Sequence, residues 1–260
     1  MRKTKKIFAI LLVVVLAFSA TGLTGCEGRG SEDRVYTIMT GFDFPPFQYF
    51  DPESGEVIGF DIDLFTAIAE DQGFQFEFVH DTFSACMGAV QSGQADGMIA
   101  AMTIREERRE TFDFSEGYFN AGQILTVRAA DTHINSMSDL NGLIVAAKIG
   151  TVSAIAAEYY GERYGFGDIA YFDDSSVMFA ALIQGNVDAV IDDRPVVEWS
   201  ILEANLPMRT VGDTLNPAQY GFAVRRGDNP HLIEMFNQGM ANLRESGKFY
   251  ELLAKYGLSD

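Results

Sequence analysis

Along residues 35–40 apolar and polar side chains alternate, the period of a half-buried strand. From 61 to 71 the apolar residues Ile62, Phe65, Ile68 and Ala69 return at the spacing of one helix face, and Gly73 ends the run. A strand at 74–79 follows, then a second helix at 84–91 with Ser84 as N-cap and Gly93 as C-cap, then a short buried strand at 97–101. Phe44-Pro45-Pro46-Phe47 makes a rigid aromatic turn and 51–56 a hairpin-like loop. Strands joined by helices in this way predict an α/β fold with parallel strands. Farther on, 123–127 leaves this first unit as a strand, 143–147 starts a second unit, and 218–224 heads back. The last 30 residues carry amphipathic helices through Leu232, Met235 and Phe236, then Met240 and Leu243, then Phe249 and Leu252. These are expected to cover the first unit.

Residues 67–100 and 159–192 match each other at a fixed offset of 92. Glu70 pairs with Glu162, Gly73-Phe74 with Gly165-Phe166, Asp81 with Asp173, Ser84 with Ser176, Gly93 with Gly185 and Asp96 with Asp188. Two units in register predict two similar α/β lobes, and a cleft between lobes is a natural ligand site. Two copies are too few for a solenoid. The chain is expected to cross between lobes near 118–126 and 214–222, and two crossing strands make a hinge.

The N-terminus adds an address. Arg2, Lys3, Lys5 and Lys6 precede an uninterrupted apolar run at 7–18, too short to span a membrane and suited to a signal-peptide core. Leu23-Thr24-Gly25-Cys26 directly behind it resembles the bacterial lipobox, in which the Cys becomes the lipidated first residue, an ordinary cleaved signal being the alternative. Residues 1–25 are thus expected to be a leader and 26–34 a polar tether. Cys86 is the one other cysteine, so no intrachain disulfide framework is expected, and its apolar helical setting predicts a small buried side chain.

Charge narrows the partners. The chain holds 19 basic and 37 acidic residues, net −18. Without the four basic residues of the leader, 15 basic residues face 37 acidic ones, net −22. That argues against nucleic acid and against spreading over an anionic membrane. Only Lys148, Lys248 and Lys255 remain as lysines, and the last two lie in a terminal helix, so Lys148 stands out. His80, His133 and His231 are scattered and make no metal-ligand spacing. There is no G-x-x-x-x-G-K-[ST] loop, no H-E-x-x-H and no G-x-S-x-G. No cofactor or metal is expected.

Several ordered motifs carry a family resemblance. They are Phe44-Pro45-Pro46-Phe47, Gly59-Phe60-Asp61-Ile62-Asp63-Leu64, Gln91-Ser92-Gly93-Gln94-Ala95-Asp96, Met102-Thr103-Ile104 before Glu107-Arg108, and Phe112-Asp113-Phe114-Ser115. Gly150-Thr151 and the run from Val187 to Asp193 continue the set. Over residues 35–257 the chain resembles the amino-acid-binding lipoproteins of ABC importers. The resemblance implies a two-lobed, type II periplasmic-binding-protein-like α/β fold with two hinge strands, lobe 1 being 35–120 with 221–260 and lobe 2 being 121–220. It also implies a free amino acid as ligand, a permease and its ATPase subunit as partners, a lipid anchor outside the cell membrane, and a monomer.

Holding a zwitterion takes a cation for the carboxylate and an anion for the ammonium. Arg108 is the candidate clamp, since its planar fork binds a carboxylate bidentately, though Arg105 and Arg109 stand in the same run. The resemblance favours Arg108, with Ala101 in the same binding set and Thr103 as a further donor. Asp193, after the apolar strand ending at Ile191, is the candidate ammonium partner, with Asp192 its neighbouring alternative. Thr151 and Val152 are expected to offer backbone N–H groups to the carboxylate. Phe44 and Phe83 resemble the aromatic walls around the ligand side chain. Lys148 and Asp192 together suggest glutamine, Lys148 donating to the side-chain amide and Asp192 accepting from it. Glutamate, cystine and histidine stay open, and Asp43 with Asp192 leaves a basic ligand open too. The rival readings are an exported cyclohexadienyl (prephenate or arogenate) dehydratase on the same fold, and a sensory ligand-binding module.

Overall fold

The computed structural model describes residues 34–259. The leader, Cys26 and nearly all of the tether lie outside them. β1 (Val35–Thr40) leads into a small antiparallel sheet of β2 (Asp43–Phe44), β3 (Gln48–Phe50) and β4 (Val57–Ile58). α1 (Phe60–Gln72), β5 (Gln75–His80), α2 (Phe83–Ser92), β6 (Gly97–Met98), the one-turn α3 (Glu106–Arg109) and β7 (Phe112–Phe114) follow. Then come β8 (Phe119–Arg128), a 3₁₀ turn (Met137–Leu140), β9 (Ile144–Lys148), α4 (Val152–Tyr164), β10 (Asp168–Phe172), α5 (Ser175–Gln184), β11 (Ala189–Asp193) and α6 (Arg194–Leu202). β12 (Met208–Tyr220), β13 (Ala223–Arg225), α7 (Pro230–Ser246) and α8 (Lys248–Lys255) close the chain.

Two five-stranded sheets share one plan. Their orders are β5-β1-β6-β13-β7 and β10-β9-β11-β8-β12. In each, the first three strands are parallel and the last two run antiparallel to them or to each other in the same places. The sequence repeat explains the parallel half. α1 and α4 have 13 residues each and end on Gly73 and Gly165, whose φ values of 71° and 74° lie in the left-handed region that glycine enters without steric cost. α2 and α5 have 10 residues each, are capped by the side chains of Thr82 and Asp174, and end on Gly93 and Gly185. The repeated acids Asp96 and Asp188 do one job: each carboxylate accepts a backbone N–H of the neighbouring first strand, from Thr37 and from Ile144, both at 2.9 Å.

Three local expectations change. α2 starts ahead of the apolar spacing, so its N-cap is Thr82 rather than Ser84, with the Thr82 hydroxyl accepting from the Ala85 amide at 3.4 Å. The strand expected at 97–101 covers only Gly97–Met98, because the buried Asp61 carboxylate takes the Ala101 N–H at 2.8 Å and Ala101 turns to a φ of 47°. The strand expected at 218–224 is two strands, split at Gly221-Phe222 where the chain leaves one sheet for the other. A Cβ on Gly221 would stand 2.8 Å from the Ile104 side chain.

The chain passes from the first sheet to the second through β8 and returns through β12, and these two strands pair antiparallel with register shifts between Val211 and Leu215 and between Leu215 and Ala218. Gly122 lets them approach, since a Cβ there would meet the Thr214 methyl at 2.5 Å. The helices α7 and α8 bury Phe236, Leu243, Phe249 and Leu252 in the core that also holds Phe60 and Phe65. Met235 is only partly buried. Phe222 and Phe236 stack with centroids 5.0 Å apart. Cys86 is fully buried and its thiol donates to the Thr40 carbonyl at 3.2 Å. No helix among the described residues is long and apolar enough to cross a membrane.

Candidate functional site

Four central strands end on one pocket. Gly41 and Asp43 follow β1, Ala100 and Ala101 follow β6, Lys148 ends β9, and Asp192 with Asp193 ends β11. In open α/β sheets the carboxyl ends of the strands are where ligands bind. The pocket holds about 410 Å³ of atom-free space, part of it open to solvent. Every residue named from the sequence as ligand-binding lines it: Phe44, Phe83, Ala101, Thr103 and Arg108 from one side, Lys148, Thr151, Val152, Asp192 and Asp193 from the other.

The short α3 presents Arg108. One guanidinium nitrogen donates to the Thr103 carbonyl at 2.9 Å and another crosses to the Gly150 carbonyl at 3.1 Å. The guanidinium carbon sits 5.4 Å from the centre of the Phe83 ring. Burial pushes the Arg108 pKa down to about 10, with Arg105 adding to the fall and Asp193 and Glu107 opposing it, so Arg108 is a cation at neutral pH. Its neighbours are spent elsewhere: Arg105 pairs with Glu107 at 3.2 Å and Arg109 with Glu106 at 3.4 Å, and neither lines the pocket.

Asp193 occupies the N-cap position of α6 but caps nothing. Its carboxylate turns instead to the crossing strands, accepting from Gln123 of β8 at 2.8 Å and from the Tyr220 hydroxyl of β12. Burial pushes its pKa up, against these two hydrogen bonds and the charges of Arg108 and Lys148. Asp192 accepts from the Asp193 amide at 2.9 Å and from the Ser153 hydroxyl at 3.5 Å through one oxygen, while the other is buried and has no hydrogen-bond partner in the protein. Burial, then Asp193, pushes the Asp192 pKa up to about 7. A cation arriving between these carboxylates would favour their charged forms.

Lys148 lines the pocket and is also paired within the protein. Its ammonium donates to Asp43, and the same Asp43 oxygen accepts the Ser175 amide at 3.1 Å. Both members of this ion pair are buried. The aromatic candidates Phe44 and Phe83 are 7% and 8% exposed, so both border the cleft from within a core. Thr151 caps α4, accepting from Ala154 at 3.4 Å, and Val152 is the first residue of that helix. The Val152 and Ser153 amides, ahead of the capped Ala154, have no intrahelical partner and suit a carboxylate. No group of three or more His, Cys, Asp or Glu able to hold a metal occurs among the described residues.

Sequence reading missed Gln123, Tyr220 and Ser153. Gln123 and Tyr220 belong to the crossing strands, and nothing local marks them as partners of an acid 70 and 27 residues away. The one usable sign is that both fall within the predicted crossing segments.

Residues 36–259 match the bacterial extracellular solute-binding proteins, family 3. The chain is similar to a probable histidine-binding protein of Neisseria gonorrhoeae, 29% identical over 260 residues with 94% of each chain covered. It is also similar to the ABC transporter glutamine-binding protein GlnH of Bacillus subtilis (strain 168), 29% identical over 273 residues with 97% of each covered. Among solved structures, an ancestral arginine-binding protein bound to arginine superposes with a TM-score of 0.79 at 36% identity, covering 85% of this chain and 97% of that one. All three are named as binding proteins.

Proposed function

The chain belongs to the bacterial extracellular solute-binding proteins, family 3, and from that premise we propose that it is the extracytoplasmic, lipid-anchored binding component of an ABC importer for a polar amino acid. One observation carries the reading: a basic and an acidic side chain, Arg108 and Asp193, from opposite sides of the cleft, line one pocket. Their placement matches the two ends of a zwitterion. The ligand carboxylate takes the Arg108 fork, Thr103 and the first-turn amides of α4. The ammonium takes Asp193. The side chain lies along Phe44 and Phe83 toward Asp192. Glutamine, which sequence reading puts first, satisfies Asp192 with its amide nitrogen.

The mechanism is hinge closure about β8 and β12. A ligand that bonds both lobes at once binds the closed form better than the open form, and so shifts the population toward it. Asp193 is bonded to a residue of each crossing strand, which supports a direct path from ligand to hinge. The closed protein is then presented to a membrane permease driven by a separate ATPase.

Calorimetric titration with the twenty amino acids and cystine tests this. One or a few are expected to bind, and Arg108→Ala is expected to abolish binding while leaving the far-UV spectrum of the protein unchanged. Unaltered affinity in Arg108→Ala would sink the assignment.

A further inference from the structure

Of the two motifs Phe44-Pro45-Pro46-Phe47 and Gly59-Phe60-Asp61, only Phe44 reaches the pocket. The other residues fix the start of α1. The Phe60 and Asp61 amides donate to the Pro46 and Phe47 carbonyls, both at 2.8 Å. A Cβ on Gly59 would stand 2.2 Å from the Phe47 carbonyl oxygen, so the two segments meet this closely only at a glycine. The product is a fully buried carboxyl group, Asp61, in the first turn of α1, where the helix dipole favours negative charge. Burial pushes its pKa up to about 7, against the Ala101 amide and the Tyr118 hydroxyl. Asp61 stays behind the pocket wall and accepts the amide of Ala101, which lines the pocket, at 2.8 Å.

Ala101 is held in a conformation that its side chain disfavours. Among the described residues four non-glycines have a positive φ. Three are asparagines, which enter the left-handed region comparatively readily, and the fourth is Ala101 at 47°. Such a conformation persists where its surroundings impose it, and it clusters at functional sites. Up to Ile99 the chain is tied to the first sheet, the Ile99 amide donating to the Met39 carbonyl at 3.1 Å. From Met102 it is tied to the end of β12 and the turn beyond it. The Met102 carbonyl accepts the Gly221 amide at 2.9 Å, and the Ile104 amide donates to the Gln219 carbonyl at 2.8 Å. The bend between these two anchorages carries the Asp61 bond. Its result is the placement of Thr103, whose carbonyl receives the Arg108 guanidinium at 2.9 Å.

We propose that Asp61 is a positioning residue for the ligand site: by holding the Ala101 amide from behind, it keeps this alanine in the left-handed turn and so aims residues 100–103, with the Thr103 carbonyl that orients Arg108, at the pocket. Asp61 thus sets affinity without touching the ligand. A glycine at position 101 would enter the same turn without help, so the need for Asp61 comes from the Cβ of Ala101. The inference rests on the amino-acid-binding reading above.

The probe is whichever of the twenty amino acids or cystine binds the parent most tightly, titrated by calorimetry into the purified variants. Asp61→Leu removes the acceptor and is expected to weaken binding by about tenfold or more, the scale of the cost of a left-handed alanine. Asp61→Asn keeps an acceptor and is expected to recover most of that loss. The discriminating readout is the effect of Ala101→Gly in two backgrounds. Relative to its effect in the parent, Ala101→Gly is expected to raise the affinity of Asp61→Leu by about tenfold, because glycine takes the turn unaided. A general loosening of the fold by Asp61→Leu would not be repaired by a more flexible chain. Equal effects of Ala101→Gly in the two backgrounds, or an Asp61→Leu affinity equal to the parent's, overturns the inference. Should Asp61→Leu fail to fold, the isosteric Asp61→Asn carries the test by NMR at pH 8. As a neutral and weaker acceptor it is expected to move the Ala101 amide proton upfield of its position in the parent, and an unmoved resonance overturns the inference. A parent that binds no amino acid overturns the underlying reading instead, an outcome visible in the first titration, before any Asp61 variant is made.

Discussion

Arg108 is oriented by backbone carbonyls at 2.9 and 3.1 Å. Those bonds fix the plane of the fork, so Arg108→Lys, which keeps the charge and loses the plane, is expected to weaken binding by about tenfold to a hundredfold, read by calorimetry. Two buried acids give a pH signature. Asp61 and Asp192 are both raised to about 7, chiefly by burial. Their carboxyls titrate higher in the folded chain than in the unfolded one, so the folded state holds more protons. The stability they contribute is full below the unfolded carboxylate range, near pH 4, and is lost as pH rises toward 7. The ligand-free protein is expected to melt at a higher temperature at pH 5 than at pH 8, and Asp61→Asn, which can still accept the Ala101 amide, is expected to narrow the gap. A gap unchanged in that variant would remove Asp61 as a source. At this scale the sequence was informative where chemistry is local. Arg108 and the acid pair Asp192-Asp193, all of which line the pocket, stand in recognisable runs, and Lys148 is conspicuous as a lone lysine. The capture of Lys148 by Asp43, 105 residues away, was not readable, because it depends on how two lobes meet.

Between elements, the repeat at offset 92 reflects a shared construction. Matched helices α1 and α4, and α2 and α5, have equal lengths and the same glycine stops. Asp96 and Asp188 tie strands to the loops before β6 and β11, so their recurrence reports packing rather than ligand chemistry. Asp188→Ala removes the carboxylate partner of the exposed Ile144 amide and is expected to cost about 0.5–1.5 kcal/mol in denaturant unfolding, with ligand affinity changed little in the folded protein. Gly73→Ala meets no atom within 4 Å, so its expected cost of about 1 kcal/mol is purely conformational. The boundaries that sequence misplaced share one cause. At Ala101 and at Gly221-Phe222 the chain is bent by contacts from elsewhere, from the Asp61 carboxylate in one case and from the switch between sheets in the other. Apolar patterning reports burial, and both segments are buried whether or not they continue as strands.

For the whole molecule, the two sheets are joined by β8 and β12 and bridged across the pocket by Arg108 to Gly150 and by Lys148 to Asp43. A ligand filling the space between adds its own bridges, one at each charged end. Binding is expected to raise the melting temperature, with about 2.7 kcal/mol gained at a hundred times the dissociation constant. The central claim is that both ends of a zwitterion are held, by Arg108 and by Asp193. The most direct measurement compares, by calorimetry, the best-binding free amino acid with its methyl ester and its Nα-acetyl derivative. The ester removes the carboxylate that Arg108 would clamp, and acetylation removes the ammonium that Asp193 would accept. Loss of binding by about a hundredfold or more for each blocked compound is the predicted result, the scale of losing one partner of a buried charge pair. Blocked compounds that bind as tightly as the free amino acid would contradict the account.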